Sequence, residues 1–532
     1  MTPVVAPAAS VADPPASPSP SGIGVMRNSL IFGSVSFATY LLSLGKTILV
    51  SRYFGTSPDM DAFTVAILVP NLLGALITGS AAAGLVPALA KAGRDGRQQR
   101  SDAFRTSFTL VAAISALGTI VLALFARPMM HVVASAFDAQ RLSTAVRLAR
   151  WAAPLFLLNA VYAFASAELL ARKKYALVAA APAFSTLVSF ALIAAFHRQG
   201  VAVLVWSLIT GTAVQAAILL IPAWKSSAGG RVTRWRDPYV AKILAAQAPL
   251  LAASSIGVAN AFVDQMMAAF LPAGNVSALS YATSLNGMAM QMVVMAMGWV
   301  MLPEISEIVA ARDWARLRKK IRVCVIAVVM LAAPACLAVV GFGEQAIRVV
   351  FQHGQFRADS TTLVFLGWAG YSLGLVPAAI GMIAVRVANG LQENWLLFRI
   401  GIVLLIANAG LDYLLMRVAG ILGITLSTTL VYCVSSLLVY RGLHRRMGAL
   451  FEPGTGRRVL IAIVAATIAA VPALAIRLLG GSGMASSALG LVVFAAALAL
   501  TYGQAGLITF HFVGRPWPAR VALGAAFRGE YQ

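Results

Sequence analysis

Apolar runs of 20 residues or more recur from one end of the chain to the other, separated by short polar connections. They lie at 29–51, 62–90, 105–126, 150–170, 176–196, 201–223, 242–270, 278–305, 322–343, 361–388, 395–416, 419–440, 458–478 and 486–511. As helices rising about 1.5 Å per residue, each is long enough to cross a hydrocarbon core of about 30 Å. The pattern predicts an all-α integral membrane protein with about 14 transmembrane helices.

The charge between the runs is sorted by side. Lys91, Arg94, Arg97, Arg100 and Arg105 separate the second and third runs, and Arg172, Lys173 and Lys174 follow the fourth. Lys225, Arg231, Arg234, Arg236 and Lys242 follow the sixth. Arg312, Arg316, Arg318, Lys319, Lys320 and Arg322 follow the eighth, and Arg441, Arg445, Arg446, Arg457 and Arg458 follow the twelfth. The alternate connections are poor in Lys and Arg, and LPAGNVSALS after the seventh run has no charge. Basic loops stay on the cytoplasmic side, so both termini are expected in the cytoplasm, in agreement with an even number of spans.

Composition fits this picture. The chain of 532 residues is 60% hydrophobic and 11% charged, with a mean hydropathy of +0.84; soluble domains carry about 25% charge. The 41 Lys and Arg do not make a nucleic-acid binder, because they cluster between apolar runs and no exposed aromatics are interleaved with them. Cys324, Cys336 and Cys433 lie within apolar runs with neither disulfide nor metal spacing. The first 25 residues or so are rich in Pro, Ala and Ser and lack a basic segment before an apolar core, so a disordered cytoplasmic tail is expected, not a signal peptide. His131, His197, His353, His444 and His511 are scattered, and no phosphate-cradling loop of the Walker type is present, so neither a catalytic constellation nor direct use of ATP is expected.

The chain also repeats itself. RYFGTSPDMDAF…VPALAKAGR aligns with AAFLPAGNVSAL…LPEISEIVA so that Phe54 falls on Phe270 and Pro87 on Pro303, both at an offset of 216 without a gap. Further on, Trp151 falls on Trp368 at an offset of 217. Six runs separate the copies, which keeps their orientation. The expected architecture is two six-helix lobes related by a parallel repeat, plus a C-terminal helix pair. The expected divisions are a tail at 1–26, lobes at 27–224 and 242–441, a cytoplasmic linker at 225–241, and the final helices with a cytoplasmic tail at 442–532.

At SRYFGTSPDMDAFTVAILVPNLL and AAGLVPALAKAGR the sequence resembles the MviN/MurJ family. These are flippases of undecaprenyl-diphosphate-linked peptidoglycan precursor, within the multidrug/oligosaccharidyl-lipid/polysaccharide exporter superfamily. The family pattern, close to ARxFGxxxxxDAFxxAxxxPNLL followed by xxVP, is met at Arg52, Phe54, Gly55, Asp61, Ala62, Phe63, Ala66, Pro70, Asn71, Leu72, Leu73, Val86 and Pro87. The likeness continues through SYATSLNGMAMQMVVMAMGWVMLPEIS and VVFQHGQF. The resemblance implies fourteen helices and outward flipping of a lipid-linked glycan, lipid II first, across the bacterial inner membrane. It implies as partners that glycan lipid, the surrounding membrane lipids and cell-wall or polysaccharide synthesis enzymes.

The departures bear on the cargo. The family usually carries Arg-Asp where this chain has Lys46-Thr47, and an Arg near Tyr40. It has a basic residue at Gly74, an acid at Gly79, and Asp-Arg at Thr283-Ser284. Of the usual cationic cluster on the first helix, Lys46 alone keeps its charge.

An ionisable group at bilayer depth costs about 2.5–3.5 kcal/mol on insertion scales and so faces a cavity or a partner. Lys46 lies about four turns into the first run, too deep to snorkel easily. Two readings are open: it meets a lipid diphosphate, or it pairs with an acid such as Asp264. Asp61 stands where an acid favours the start of the second helix, and Arg52 at outer head-group level; both are also substrate-binding candidates. Asn71 is a cavity candidate or an interhelical hydrogen-bonder, as are Asn286 and Gln291. Arg386 meets phosphate on the inner side or anchors the helix, and Glu168 is read as a partner of the neighbouring Arg172, Lys173 and Lys174.

A second cluster joins Asp264 and Gln265 to Asn408 and Asp412, whose i,i+4 spacing puts both on one helical face, and to Thr425, Thr428 and Thr429. Carboxylates, an amide oxygen and a hydroxyl are hard ligands that suit Na⁺. Some family members bind sodium here, and the matching positions are Asp264, Asn408, Asp412, Thr428 and the carbonyl of Ile424. The alternative is a hydrogen-bonded polar patch with one protonated acid. No obligatory cofactor is expected; Na⁺ is a structural or coupling ion.

The expected function is alternating-access flipping of an undecaprenyl-diphosphate-linked glycan. Its rivals are an exopolysaccharide or O-antigen lipid flippase, an exporter of small organic cations, and a non-transporting scaffold for cell-wall enzymes. The orientation is checked by replacing Arg231 with Cys in a background free of other cysteines. A membrane-impermeant maleimide added to intact cells should leave position 231 unmodified, and strong labelling there would reverse the topology.

Overall fold

The computed structural model describes residues 22–232, 258–298, 308–309, 311–391, 393–479, 483–507, 511–512 and 515–516. Helix α1 (Gly22–Phe54) ends in a tight turn at Gly55, whose φ is 54°. After it Ser57 caps α2 (Pro58–Ala66), its hydroxyl accepting from the Met60 amide at 3.3 Å, with Pro58 at the first helical position. α3 (Leu68–Ser80) continues through a π-helical turn, Ala81–Leu85, into α4 (Val86–Asp95). α5 (Arg97–Leu124), α6 (Ala126–Val133) and α7 (Ala139–Ala152) follow. α8 (Pro154–Ala171), α9 (Tyr175–Phe196) and α10 (Ala202–Ser226) complete the first half of the chain.

The described second half begins with α11 (258–268) and α12 (Asn275–Gly298). α13 (Trp314–Phe351) is capped by Asp313. α14 (Ala358–Leu373) and α15 (Leu375–Gly390) meet at Gly374 with a bend of 45°. α16 (Asn394–Met447), α17 (Thr455–Leu479) and α18 (Met484–Gln504) close the series. Apart from a two-residue antiparallel pairing at His511–Phe512 and Arg515–Pro516, all regular structure among the described residues is helical.

α16 is a hairpin rather than one rod. Gly420 has φ 56° and ψ −132°, a left-handed conformation that favours glycine. Ser427 bonds Asp412, 15 positions earlier, whereas a straight helix would hold them roughly 22 Å apart at about 1.5 Å per residue. The arms approach so closely that a Cβ on Gly423 would lie 2.1 Å from the Leu415 carbonyl oxygen. This reversal places the acid of one arm against the hydroxyls of the other.

Nine helices among the described residues are long and apolar enough to cross a membrane, and ten if α14 and α15 count as one broken span. The outward faces are apolar: Val418 is 88% exposed and Leu479 is 89% exposed, with Leu117, Leu124 and Ile406 also bare. Such surface would not stay dispersed in water, and lipid is the medium that accommodates it. One core fills the first half around Leu85, Leu89, Phe104 and Phe164, and another the second half around Ile321, Val329, Ile383 and Leu443. A third bridges the halves, bringing Phe54, Met60 and Phe63 against Leu279, Tyr281 and Phe351.

The apolar runs locate the helices but not their breaks. The run at 361–388 contains the Gly374 bend, and the run at 62–90 contains the π turn. α1 starts at Gly22, inside the segment assigned to the tail, because GIGVM is apolar enough to extend the helix; residues 1–21 lie outside the described set. Of the 225–241 linker, 227–232 are described outside helix α10; 242–257 and Gln291's side chain also fall outside it. Gly423→Val should prevent the hairpin from closing and lower the melting temperature of purified protein sharply. Gly410→Ala, which meets open space, should leave it unchanged or raise it slightly, since Ala gains up to about 1 kcal/mol over Gly in a helix.

Candidate functional site

At the turn between α1 and α2 the two halves of the chain are stitched together. Asp61 is fully buried on α2. Its Oδ2 accepts from the Gly274 amide at 2.6 Å, and its Oδ1 accepts from the Ser277 amide at 2.8 Å and the Ser277 hydroxyl at 2.7 Å. The carboxylate therefore caps α12, a helix of the other half, where free N–H groups and the dipole favour negative charge. The acid stands in the first turn of α2 as its sequence position suggests, but α2 itself is capped by Ser57. Arg141 lies 3.7 Å from Asp61 Oδ2, in Coulomb range but beyond hydrogen-bond distance.

Three more bonds continue this seam. Tyr281 donates to the Gly55 carbonyl at 3.1 Å, the Thr56 and Ser360 hydroxyls meet at 2.7 Å, and the Gln355 amide donates to the Arg52 carbonyl at 2.9 Å. Backbones touch here: a Cβ on Gly354 would lie 2.3 Å from the Arg52 oxygen, and one on Gly55 2.4 Å from the Gln355 oxygen. Arg52 thus contributes its backbone to the seam while its side chain is exposed.

Deeper along α1 two cavities lie between the halves. One of about 160 Å³ is lined by Lys46, Thr47, Phe63, Ser207, Tyr281 and Ser284, among others. Lys46 has no ion pair among the described residues, and the proposed partner Asp264 is fully engaged elsewhere. Asn71 faces the second cavity, of about 270 Å³, with Gln265, Thr283 and Tyr371. Lys46 is the one charged group in either lining. The missing basic residue at Gly74 has a packing reason: any Cβ there would meet Asn159 Nδ2 at 2.6 Å.

The second cluster assembles as the spacing suggests. Asn408 Nδ2 donates to Asp264 Oδ1 at 2.8 Å and to Asp412 Oδ2 at 3.0 Å. Thr428 donates to Asp264 Oδ2 at 2.9 Å, and lies 3.3 Å from the Ile424 carbonyl. Asn408 and Asp412 are fully buried, and Asp264 is 3% exposed. Two residues join that sequence reasoning does not place there: Tyr371 donates to Asp264 Oδ2 at 3.1 Å, and Ser427 donates to Asp412 Oδ1. Thr425 and Thr429 turn away, to Ile421 and Gly370. Two carboxylates are gathered without a cationic side chain in contact, and Asn408 Oδ1 is buried with no hydrogen-bond partner. An acceptor-rich set with an orphaned oxygen fits a small hard cation. No group of three or more His, Cys, Asp or Glu positioned to hold a metal exists among the described residues, which disfavours a transition-metal centre.

Other candidates stand apart. Arg386 is exposed near the end of α15, away from both cavity linings. Glu168 is fully buried between Arg172 at 2.5 Å and Arg100 at 3.2 Å, and accepts from Ser227 at 3.4 Å. Arg105 donates to the Gly230 carbonyl and Asp102 accepts from the Arg231 amide, so this network ties the segment after α10 to α5 and α8.

The family model described as "Lipid II flippase MurJ" matches residues 50–498, which span the seam, both cavities and the polar cluster. The chain belongs to the lipid II flippase MurJ family. Among its MurJ relatives, the lipid II flippase MurJ of Burkholderia cenocepacia is 28% identical, over 82% of this chain and 86% of that protein. The probable lipid II flippase MurJ of Rhizobium tropici is 25% identical, over 84% and 86%. A solved structure titled lipid II flippase MurJ in an inward closed conformation shares the fold with a TM-score of 0.77 at 17% identity, covering 89% of this chain and 99% of that one. An inward-facing multidrug-resistance MATE transporter of the MOP superfamily matches at 0.62 and 16%, over 79% and 98%.

Proposed function

We propose that the protein is an alternating-access flippase that carries an undecaprenyl-diphosphate-linked glycan, lipid II in the first instance, from the inner to the outer leaflet of the bacterial cytoplasmic membrane. The observation that carries this reading is Lys46: one ammonium, without an acid partner among the described residues, in a cavity between the halves and beneath the seam. A diphosphate is the group such a point charge would hold. The membership and names of the relatives support lipid II as cargo. The substitutions that leave Gly74, Thr283 and Ser284 uncharged favour, as a second reading, an exopolysaccharide or O-antigen lipid of the same diphosphate chemistry.

In this reading the chain crosses the membrane about 14 times, as two six-helix lobes at 27–224 and 242–441 followed by a helix pair, with both termini cytoplasmic. The seam then closes the outer side, and cargo enters from the inner leaflet. Opening outward requires Asp61 to release the α12 amides. Transfer of a negative head group runs with an inside-negative potential, at about 2.3 kcal/mol per charge per 100 mV. Arg52 at the outer turn and Arg386 toward the inner end are secondary phosphate contacts, and Asn71 lines the path.

Asp264, Asn408, Asp412, Thr428 and the Ile424 carbonyl would hold Na⁺. When bound, it neutralises part of the charge of two acids that repel in a low dielectric. Tying α11 to both arms of α16 affects the balance of inward and outward states, for which a coupling of about 1–3 kcal/mol suffices.

Two measurements follow. Lys46→Ala should fail to complement a flippase-null strain while inserting and folding, and Lys46→Arg should retain part of the activity; full complementation by Lys46→Ala at native expression removes the diphosphate role. Purified protein should melt higher in NaCl than in choline chloride at equal ionic strength. Asp412→Ala and Asp264→Ala should abolish that difference, and Thr428→Ala should reduce it more than Thr429→Ala. Identical melting of the parent protein in both salts would sink the cation site.

A further inference from the structure

The cavity between α3, α11, α12 and α14 has a chemistry opposite to that around Lys46. Among the described residues its polar wall consists of Asn71, Gln265, Thr283 and Tyr371, with no charged group. Gln265 is 9% exposed, and its Oε1 is buried without a hydrogen-bond partner. The Thr283 hydroxyl spends its proton on the Leu279 carbonyl at 2.8 Å, and the Tyr371 hydroxyl spends its own on Asp264 at 3.1 Å. What both still offer is a lone pair. Three of the four polar groups therefore present acceptors, and Asn71 presents an acceptor and donors. Such a wall cannot take phosphate, which is itself an acceptor and would be desolvated without a cation. It asks for neutral donors: the hydroxyls and amide N–H of a sugar. Leu68 and Phe262 supply the apolar surface on which a sugar ring's C–H face packs.

The two cavities are neighbours. Ile67 lines the Lys46 cavity and Leu68 the other; Ser284 lines the first and Thr283 the second. Consecutive residues on α2–α3 and again on α12 thus face one cavity each, so a single ligand reaches both. The geometry points to a divided head-group site, in which Lys46 takes the diphosphate and the Gln265–Thr283–Tyr371 wall takes the attached amide-bearing sugar. The uncharged positions Gly74 and Thr283 are then part of a neutral saccharide subsite, not a loss of function. The inference rests on the flippase reading and adds which part of the cargo each cavity holds.

The test uses the full chain in detergent micelles and two probes, farnesyl diphosphate and the same lipid diphosphate bearing one N-acetylglucosamine, with affinities measured by titration calorimetry. The sugar should tighten binding to the parent protein about tenfold, which is roughly what one buried hydrogen bond of about 1.4 kcal/mol gives. Gln265→Leu should erase that gain, and Thr283→Val, which replaces the hydroxyl by a methyl of equal size, should reduce it; both should bind farnesyl diphosphate as the parent does. Lys46→Ala should weaken both probes by the same factor. Equal affinity of the parent for the two probes, or a gain that survives Gln265→Leu, overturns the subsite and leaves the flippase reading standing. Failure of both probes to bind the parent overturns the flippase reading and the subsite with it. Melting temperatures of the variants within a few degrees of the parent establish that the change is local.

Discussion

The arrangement hangs on a carboxylate placed on the end of a helix from the other half of the chain. Asp61 accepts three hydrogen bonds from Gly274 and Ser277 while fully buried. Hydrogen bonds to an ionised group contribute about 1.5–3 kcal/mol each, and a carboxylate at a partly buried helix N-terminus up to about 2 kcal/mol. The same carboxylate stripped of those donors and left in an apolar setting is costly, so the closed seam is well defined and its release is a discrete event. Backbone contacts at Gly55 and Gly354 let the halves approach closely enough for the bonds to form.

Beneath that seam, charge is sparse and placed. One ammonium faces one cavity, neutral acceptors face the next, and two acids sit in a cluster around Asn408. Tyr371 connects the last two, since its hydroxyl borders the neutral cavity and donates to Asp264. Cargo in that cavity and a cation in the cluster would thus act on a shared group. The fold supports this by bending: the Gly374 break and the Gly420 reversal bring α14 and both arms of α16 around α11.

Much of this is written locally in the sequence. A lone Lys in an apolar run marks itself, and the i,i+4 spacing of Asn408 and Asp412 predicts a shared face that the structure shows. Family resemblance adds Ile424 and Thr428, both of which touch the cluster. Ser427 is harder to find, because membrane helices hold many serines that bond only their own backbone, and this one bonds both the Ile424 carbonyl and Asp412. Tyr371 comes from another helix with no spacing signal. The partner of Asp61 is 216 positions away, which no local pattern reveals, yet that is the offset of the repeat. Positions related by a two-fold axis meet where they lie on it, so the contact supports a parallel repeat with its axis near the seam. Hydropathy places spans but is blind to the Gly374 bend and to which face of a helix sees cargo.

The claim on which the account stands is that the seam must open for transport. With Thr56→Cys and Ser360→Cys in a protein lacking other cysteines, the two thiols replace hydroxyls that lie 2.7 Å apart. After reconstitution into liposomes, oxidation should crosslink the pair and stop transfer of fluorescently labelled lipid II, and reductant should restore it. Transfer that continues at the uncrosslinked rate through a fully oxidised pair would contradict the account.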